Sequence, residues 1–102
     1  MGTSALIHVQ GIPKVAVYKH YDGYPEGTLP WLEKFNKDFA EKRGDDPNYK
    51  LAQLLRSSVR DAEEFGLDKS VHTGWGIVPT TPNGFGVDHE YTLLTDGRVI
   101  VK

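Results

Sequence analysis

Two neighbouring stretches in the middle of the chain repeat their apolar residues with the period of an α-helix, and this pattern restricts the fold most. The first stretch runs to about Arg43, and the second begins after the turn formed by residues 44–47. Segments on both sides alternate between apolar and polar residues, which is typical of β-strands with one buried face. The predicted order is therefore β-β-α-α-β-β-β. We expect an α+β two-layer sandwich with a mostly antiparallel sheet.

The two predicted helices carry their own start and stop signals. Thr28 is predicted to cap the first helix, with Pro30 in the first turn, where a missing amide costs nothing. Its apolar stripe is expected to enter the core and consists of Trp31, Leu32, Phe35 and Phe39. The second helix is predicted to start with Asp46 as N-cap and Pro47 in the first position, and to stop at Gly66. Its predicted buried face consists of Leu51, Ala52, Leu55, Val59 and Ala62, with Leu54 and Phe65 at the margins.

The predicted strands form two groups, one before the helices and one after them. Residues 5–10 and 14–20 are expected to pair as a hairpin around Gly11, and residues 72–78 and 87–95 follow the helices. Asp96-Gly97 is the strongest hairpin signal in the chain. A two-residue loop there pairs Leu94 with Val99 and Leu93 with Ile100, so that apolar residues meet on both faces.

Composition limits the classes of protein to which this chain can belong. With 102 residues and a net charge of −2, it is expected to form a single domain, residues 1–102, and a dedicated nucleic-acid binder is disfavoured. The absence of cysteine excludes disulfides, thiolate catalysis, cysteine-type zinc sites and iron–sulfur clusters. The first residues lack a signal-peptide pattern, and no apolar run is long enough to cross a bilayer. We therefore expect a cytoplasmic protein with no membrane partner.

The stretch Tyr18–Gly27, YKHYDGYPEG, combines three tyrosines, a histidine, two carboxylates, a proline and two glycines. Glycine and proline impose an unusual backbone path, and the rings and acids supply contacts along it. Core packing is the ordinary explanation for any single ring. For the whole stretch, a role in contacting a ligand or partner is preferred.

Further candidates come from the second helix and the late strands. Arg56 and Arg60 lie one helical turn apart and form a candidate anion cradle, with a surface pair between Arg60 and Glu64 as the alternative. The full set of ligand-binding candidates is Tyr18, His20, Tyr21, Asp22, Tyr24, Glu26, Arg56, Arg60, Trp75, His89, Glu90 and Tyr91.

Catalytic and metal sites are weaker candidates. His20 and Asp22 with His89 and Glu90 carry the ligand types of a metal-assisted or acid–base hydrolase. However, neighbouring residues of a strand point to opposite faces, and the chain has no paired-ligand spacing such as H-x-x-x-H. The sequence therefore favours a non-enzymatic protein with no cofactor and no metal.

The stretch YKHYDGYPEG resembles a motif of small, uncharacterised phage, bacterial and archaeal proteins. That motif reads Tyr, Lys or Arg, His, Trp, Asp, Gly, Tyr, Pro, a small or acidic residue, and Gly. The resemblance extends to residues 51–54 and 88–91, whereas Tyr21 stands where the motif has tryptophan. The group has no assigned function, so the resemblance implies where a site lies and names no reaction.

Three functions remain open at this point. The preferred one is a small non-enzymatic module that uses the aromatic and acidic loop to bind a small, nucleotide-like ligand. The first alternative is a protein-interaction or inhibitor module of phage-type origin, including a homodimer through an exposed strand edge. The second alternative is the metal-assisted or acid–base hydrolase.

Overall fold

The computed structural model describes residues 4–19, 25–64, 75–80 and 87–101, with residues 57–64 described by their backbone alone. Its elements are β1 (Ala5–Val9), β2 (Ile12–Lys19), α1 (Pro25–Lys42), α2 (Pro47–Glu64), β3 (Trp75–Pro79), β4 (His89–Leu93) and β5 (Val99–Val101). This order confirms the predicted β-β-α-α-β-β-β arrangement and the α+β class. The predicted helix stop at Gly66 lies outside the described residues. Neither described helix is long and apolar enough to span a bilayer.

The strands form one mixed sheet in the order β3-β2-β1-β4-β5. All neighbouring pairs are antiparallel except β1 and β4, which run parallel in the middle of the sheet. Strand β1 lies in the centre and is the most deeply buried strand, with Ala5, Leu6, Ile7 and Val9 all buried. Strand β3 lies at an edge, so Pro79 can end it although proline has no amide to donate.

Both helices pack on the same face of this sheet. Helix α1 lies over β4 and β5, and α2 lies over β1 and β2. The core consists of Ala5, Ile7, Val9, Val17, Leu32, Leu54, Tyr91 and Leu93. The odd-numbered residues of β1 therefore face the helices, as the alternation of the sequence predicts. We call this side the helix face and the other side the outer face.

The start of α1 differs from the prediction. The helix begins at Pro25, and Thr28 lies within it as a buried residue and not as its cap. Pro25 suits the first helical position because the amide missing there has no partner within the helix. Pro30 lies in the second turn, where its amide would have bonded to the carbonyl of Glu26. Since Thr28 and Pro30 also form a valid start signal, the sequence alone placed the first helical residue four positions too late, at Leu29 instead of Pro25.

The turn between the helices confirms the prediction. Gly44 has φ of 70°, and its amide donates to the carbonyls of Phe39 and Ala40 at 3.3 and 3.1 Å, which closes α1. Asp46 then caps α2, because its Oδ1 accepts the amide of Tyr49 at 3.3 Å.

The buried face of α2 was predicted in part. Leu51 and Leu55 pack against the core as expected, whereas the side chains of Val59 and Ala62, and all of Phe65, lie outside the described part of the chain. Leu54 is fully buried and Ala52 is exposed, whereas the periodicity placed Ala52 on the buried face and Leu54 at its margin. Lys50 and Leu54 are four residues apart and define the centre of the contact with the sheet. Alanine is small enough for both the buried and the exposed face of a helix. Ala52 therefore did not indicate which face of α2 contacts the sheet.

The β4–β5 hairpin has a different register from the predicted one. Leu93 pairs with Val99, and the amide of Leu94 donates to the carbonyl of Arg98 at 2.9 Å. The loop therefore contains the three residues 95–97 instead of two. The amide of Gly97 donates to the carbonyl of Leu94 at 3.2 Å, and Gly97 has φ of 99°. This is a turn followed by a glycine bulge, which the dipeptide Asp-Gly also favours. Val99 consequently joins the helix face beside Leu93, and Ile100 faces outward.

A buried lysine and asparagine hold this hairpin against the helices. Asn36 Nδ2 donates to the carbonyls of Leu94 and Arg98 at 2.9 and 2.7 Å, and Lys50 Nζ donates to the carbonyl of Leu94 at 3.1 Å. Burial lowers the pKa of Lys50, and the carboxylates of Asp45 and Asp96 act in the opposite direction. The buried ammonium is therefore a cost to folding at neutral pH.

We expect Lys50→Met to fold at least as well as the unmodified chain at pH 7. The carbonyl of Leu94 keeps its bonds from Asn36 and Gly97, and a buried charge disappears. Between the lowered pKa of Lys50 and its ordinary value of 10.5, the unfolded chain binds more protons than the folded one. Stability supplied through Lys50 therefore rises with pH in that window, and the substitution removes this rise.

Urea denaturation at several pH values between 7 and 10.5 measures this difference. Lys37→Met is the matched control, since Lys37 is exposed on α1. If Lys50→Met lowered the free energy of unfolding by several kcal/mol at pH 7, the buried ammonium would not be a cost to folding. The same would follow if the stabilities of Lys50→Met and Lys37→Met depended on pH in the same way.

Candidate ligand-binding site

One end of the sheet brings together several of the predicted site residues. At this end β1, β3 and β4 begin and β2 ends. Ala5 pairs with Lys19 on one side and with His89 on the other, and Lys19 pairs in turn with Trp75. These four residues form a row across four strands, and residues paired in a sheet project to the same face. Because Ala5 is part of the core, the row belongs to the helix face.

Helix α1 brings a second tryptophan to this row. Trp31 and Trp75 have ring centroids 5.8 Å apart with a tilt of 36°, and both rings are partly exposed. The Nζ atom of Lys19 lies 5.4 Å from the centroid of the Trp75 ring. This is the geometry of a cation–π contact. The chain has only two tryptophans, and both lie here.

Lys19 is buried, with 3% of its surface exposed. A buried ammonium requires polar or aromatic partners, because losing its hydration is costly. The Trp75 ring is one such partner, and Lys19 has further contacts. A cation held in this way beside two flat rings is suited to an anionic group attached to an aromatic system.

Strand β4 and the first turn of α1 complete the site. The rings of His89 and Tyr91 are 6.5 Å apart, and Tyr91 is fully buried. Burial raises the pKa of Tyr91, and the negative charge of Glu26 raises it further. We call this group the sheet-end cluster, and its members are Lys19, Glu26, Trp31, Trp75, His89 and Tyr91.

Four of the twelve candidates from the sequence therefore belong to one cluster: Glu26, Trp75, His89 and Tyr91. Lys19 and Trp31 were not among the candidates. Lys19 lies within the YKHYDGYPEG stretch, but an isolated lysine in a strand is normally exposed, so no signal singled it out. Trp31 was assigned to the core stripe of α1, and its partial exposure follows only from its position at the end of the sheet.

Tyr18 and Glu90 lie on the outer face and not with this cluster. Both pair with Leu6, one from each side, so their strands are separated by β1. Glu90 Oε1 contacts His8 Nε2 at 3.0 Å in a half-buried pair. His8 was not a candidate, although its place opposite Ile7 in the alternation of β1 indicates an outward direction.

This arrangement bears directly on the hydrolase alternative. His89 and Glu90 were candidate members of one catalytic or metal site, but the sheet separates them because adjacent residues of β4 project to opposite faces. The described acid–base pair is His8 with Glu90 instead. Within the described residues, no group of three or more histidines and carboxylates is placed to hold a metal ion.

The remaining candidates lie elsewhere. Arg56 is exposed on α2, where Nη1 donates to Gln53 Oε1 at 3.4 Å. No described contact joins Arg56 to the sheet-end cluster. His20, Tyr21, Asp22 and Tyr24 lie outside the described residues. Arg60 lies in the part of α2 that is described by its backbone alone. In the sequence, residues 20–24 lie between Lys19 at the end of β2 and Pro25 at the start of α1.

Comparisons with models of known protein families, with curated proteins and with solved structures find no match to this chain. The resemblance of the YKHYDGYPEG stretch to small phage, bacterial and archaeal proteins therefore remains an expectation. The sheet-end cluster identifies a candidate site through its contacts alone.

Proposed function

We propose that this protein is a small, non-enzymatic binding module whose sheet-end cluster holds a planar, anionic ligand of the nucleotide class. The observation that carries the proposal is the position of Lys19, buried beside Trp75, with Trp31 next to it. A flat aromatic surface and a cation at fixed distance are what a base and a phosphate require.

Each part of the cluster has a role in this proposal. The partly exposed tryptophan rings offer stacking area to a base, which contributes about 1–3 kcal/mol per base in known cases. Lys19 meets the phosphate. Glu26 and His89 supply polar groups that accept or donate hydrogen bonds to a sugar or base edge. Residues 20–24, which contain two further tyrosines and Asp22, follow Lys19 directly in the chain and stay ligand-binding candidates from the sequence.

Tryptophan fluorescence tests this proposal specifically, because both tryptophans of the chain belong to the cluster. Nucleoside mono-, di- and triphosphates and cyclic nucleotides are titrated against the protein, with the corresponding nucleosides as uncharged references. We expect at least one nucleotide to change the emission in a saturable way and its nucleoside to bind more weakly. No change across the whole panel would overturn the nucleotide proposal.

Two substitutions examine the roles of the residues. Lys19→Met is expected to weaken nucleotide binding about tenfold or more, because a charge-assisted hydrogen bond contributes about 1.5–3 kcal/mol. Trp75→Phe reduces the stacking area and keeps Trp31 as the reporter. Arg56→Met is the matched control, since it removes one exposed cation of α2. If Arg56→Met weakens binding more than Lys19→Met does in equally stable proteins, the site lies on α2 instead.

A protein-interaction module is the second candidate, and exposed apolar residues at both sheet edges favour it. Ile77 on β3 is 53% exposed, and Ile100 and Val101 on β5 are 51% and 41% exposed. Edge strands with apolar side chains can pair with a further strand, including that of a second copy. This candidate predicts silence across the nucleotide panel, so the same titration separates the two functions.

A further inference from the structure

A groove between the two helices lies apart from the sheet-end cluster. Its volume is about 310 Å³, and its floor consists of Phe35, Phe39 and Tyr49. The ring centroids of Phe35 and Phe39 are 6.3 Å apart, as are those of Phe39 and Tyr49. Lys42 at the rim is eleven residues from Trp31 along α1, about 16 Å at 1.5 Å per residue. The end of the groove at Lys42 is therefore remote from the sheet-end cluster, whereas Phe35 at the other end lies one helical turn from Trp31.

The rings of the groove are partly open to solvent. Tyr49 is 43% exposed, whereas Phe39 behind it is 7% exposed. The guanidinium of Arg43 covers one side of the Tyr49 ring at 3.9 Å and is held there by Asp46 at 2.9 Å. Tyr49 is thus fixed from one side and accessible from the other, so an apolar group can enter without rearranging the helices.

The charged residues around the groove indicate which head group an apolar ligand would carry. Asp38 is paired with Lys34 at 3.1 Å, and Arg43 is paired with Asp46. Lys42 also lines the groove and makes no hydrogen bond or salt bridge within the described part of the chain. It contributes to lowering the pKa of Asp38. The charged residues that line the groove are therefore two cations, Lys42 and Arg43, and one carboxylate, Asp38. Lys42 is the cation whose charge no hydrogen bond or salt bridge engages in the described part of the chain.

We propose that this groove binds a small monocarboxylate with an apolar body, such as a medium-chain fatty acid. The chain of the ligand lies on Phe35, Phe39 and Tyr49, and its carboxylate pairs with Lys42. The groove volume is at the lower end of the range for small-molecule sites, which limits the ligand to one short chain or one ring system. The charge surplus favours an anionic head group over a neutral or cationic one.

Three probes with the same chain test the head-group preference: octanoate, octanol and octyltrimethylammonium. Binding is followed through the ring signals of Tyr49 and Phe39 by NMR, with the indole signals of Trp31 and Trp75 as an internal reference for the other site. Octanoate is expected to shift the Tyr49 and Phe39 signals and leave the indoles unchanged. It should bind several-fold more tightly than octanol and about tenfold more tightly than the cation.

Two variants assign the effect to the groove. Lys42→Gln is expected to weaken octanoate binding about three- to fivefold and to leave octanol binding unchanged, as a surface ion pair is worth at most about 1 kcal/mol. Lys37→Gln is the matched control on the exposed side of α1 and should change neither affinity. Gln53→Trp fills the groove and should abolish binding of both probes.

Failure of this proposal is distinguishable from failure of the nucleotide proposal. Equal affinities for the three head groups would overturn the assignment to carboxylates, and so would an unchanged octanoate affinity in Lys42→Gln. Octanoate shifts confined to the indole signals would place the ligand at the sheet-end cluster and would also overturn it. None of these results depends on whether nucleotides bind.

Discussion

Replacing Leu54 with alanine is expected to destabilise the protein by about 2–5 kcal/mol. Leu54 is fully buried and belongs to the core cluster with Ile7 and Val17 of the sheet. Alanine leaves a cavity at the contact between α2 and β1, where the surrounding strands cannot collapse to fill it. For a chain of this size, such a loss is a large part of the total free energy of unfolding. Urea denaturation followed by circular dichroism measures it.

Leu51→Ala is the matched control for this prediction. Leu51 lies on the same helix and undergoes the same chemical change, but it is only partly buried. Its loss is expected to be about 1–2 kcal/mol, because part of the side chain already contacts water. If Leu51→Ala proved the more damaging of the two, α2 would be rotated toward the orientation that its periodicity suggested.

Gly11→Ala is expected to cost about 2–4 kcal/mol, through two separate effects. Gly11 closes the β1–β2 hairpin with φ of 98°, a conformation that strains any residue with a Cβ by about 1–2 kcal/mol. A Cβ at this position would also lie 2.9 Å from Cγ and 3.1 Å from Cβ of Pro47. Because Pro47 begins α2, the hairpin and the helix must separate to accommodate the methyl group.

Gly44→Ala separates the two effects. Gly44 also has a positive φ, 70°, but a Cβ there meets no atom within 4 Å. It is therefore expected to cost only the strain, about 1–2 kcal/mol. In the double variant Gly11→Ala/Pro47→Ala, the closer contact, with Cγ, is removed while the contact with Cβ stays, so part of the loss should return. Equal losses for Gly11→Ala and Gly44→Ala, with no recovery in the double variant, would show that the contact with Pro47 is unimportant.

Some residues of the candidate site could be predicted from the sequence because their types are unusual in a strand. Trp75 was noted because glycines flank it, and His89 and Tyr91 because imidazole and phenol carry both a ring and a polar group. Glu26 was included as part of the acidic stretch. The sequence did not show that these four residues share one face, since strand order was open. The parallel pairing of β1 with β4 decided it, by placing His89 in the same row as Lys19.

The errors have a common cause in ambiguous local signals. Helix α1 has two start signals three residues apart, Pro25 as a first helical residue and Thr28 as an N-cap. The dipeptide Asp-Gly likewise supports both a two-residue loop and a three-residue loop with a bulge. In each case the local energies of the alternatives are close. Packing then decided the outcome, since Thr28 is buried inside the helix and Val99 joins Leu93 on the helix face.

The sequence by itself determined the number, type and order of the elements, together with the turn between the helices. These depend on periodicity and on glycine and proline, which act within a few residues. Only the tertiary structure decided which side of α2 is buried and the register of the last hairpin. It also brought Lys19, Trp31 and Trp75 together. These features depend on contacts between residues that are distant in the chain. A short stretch of sequence does not reveal the energies of such contacts.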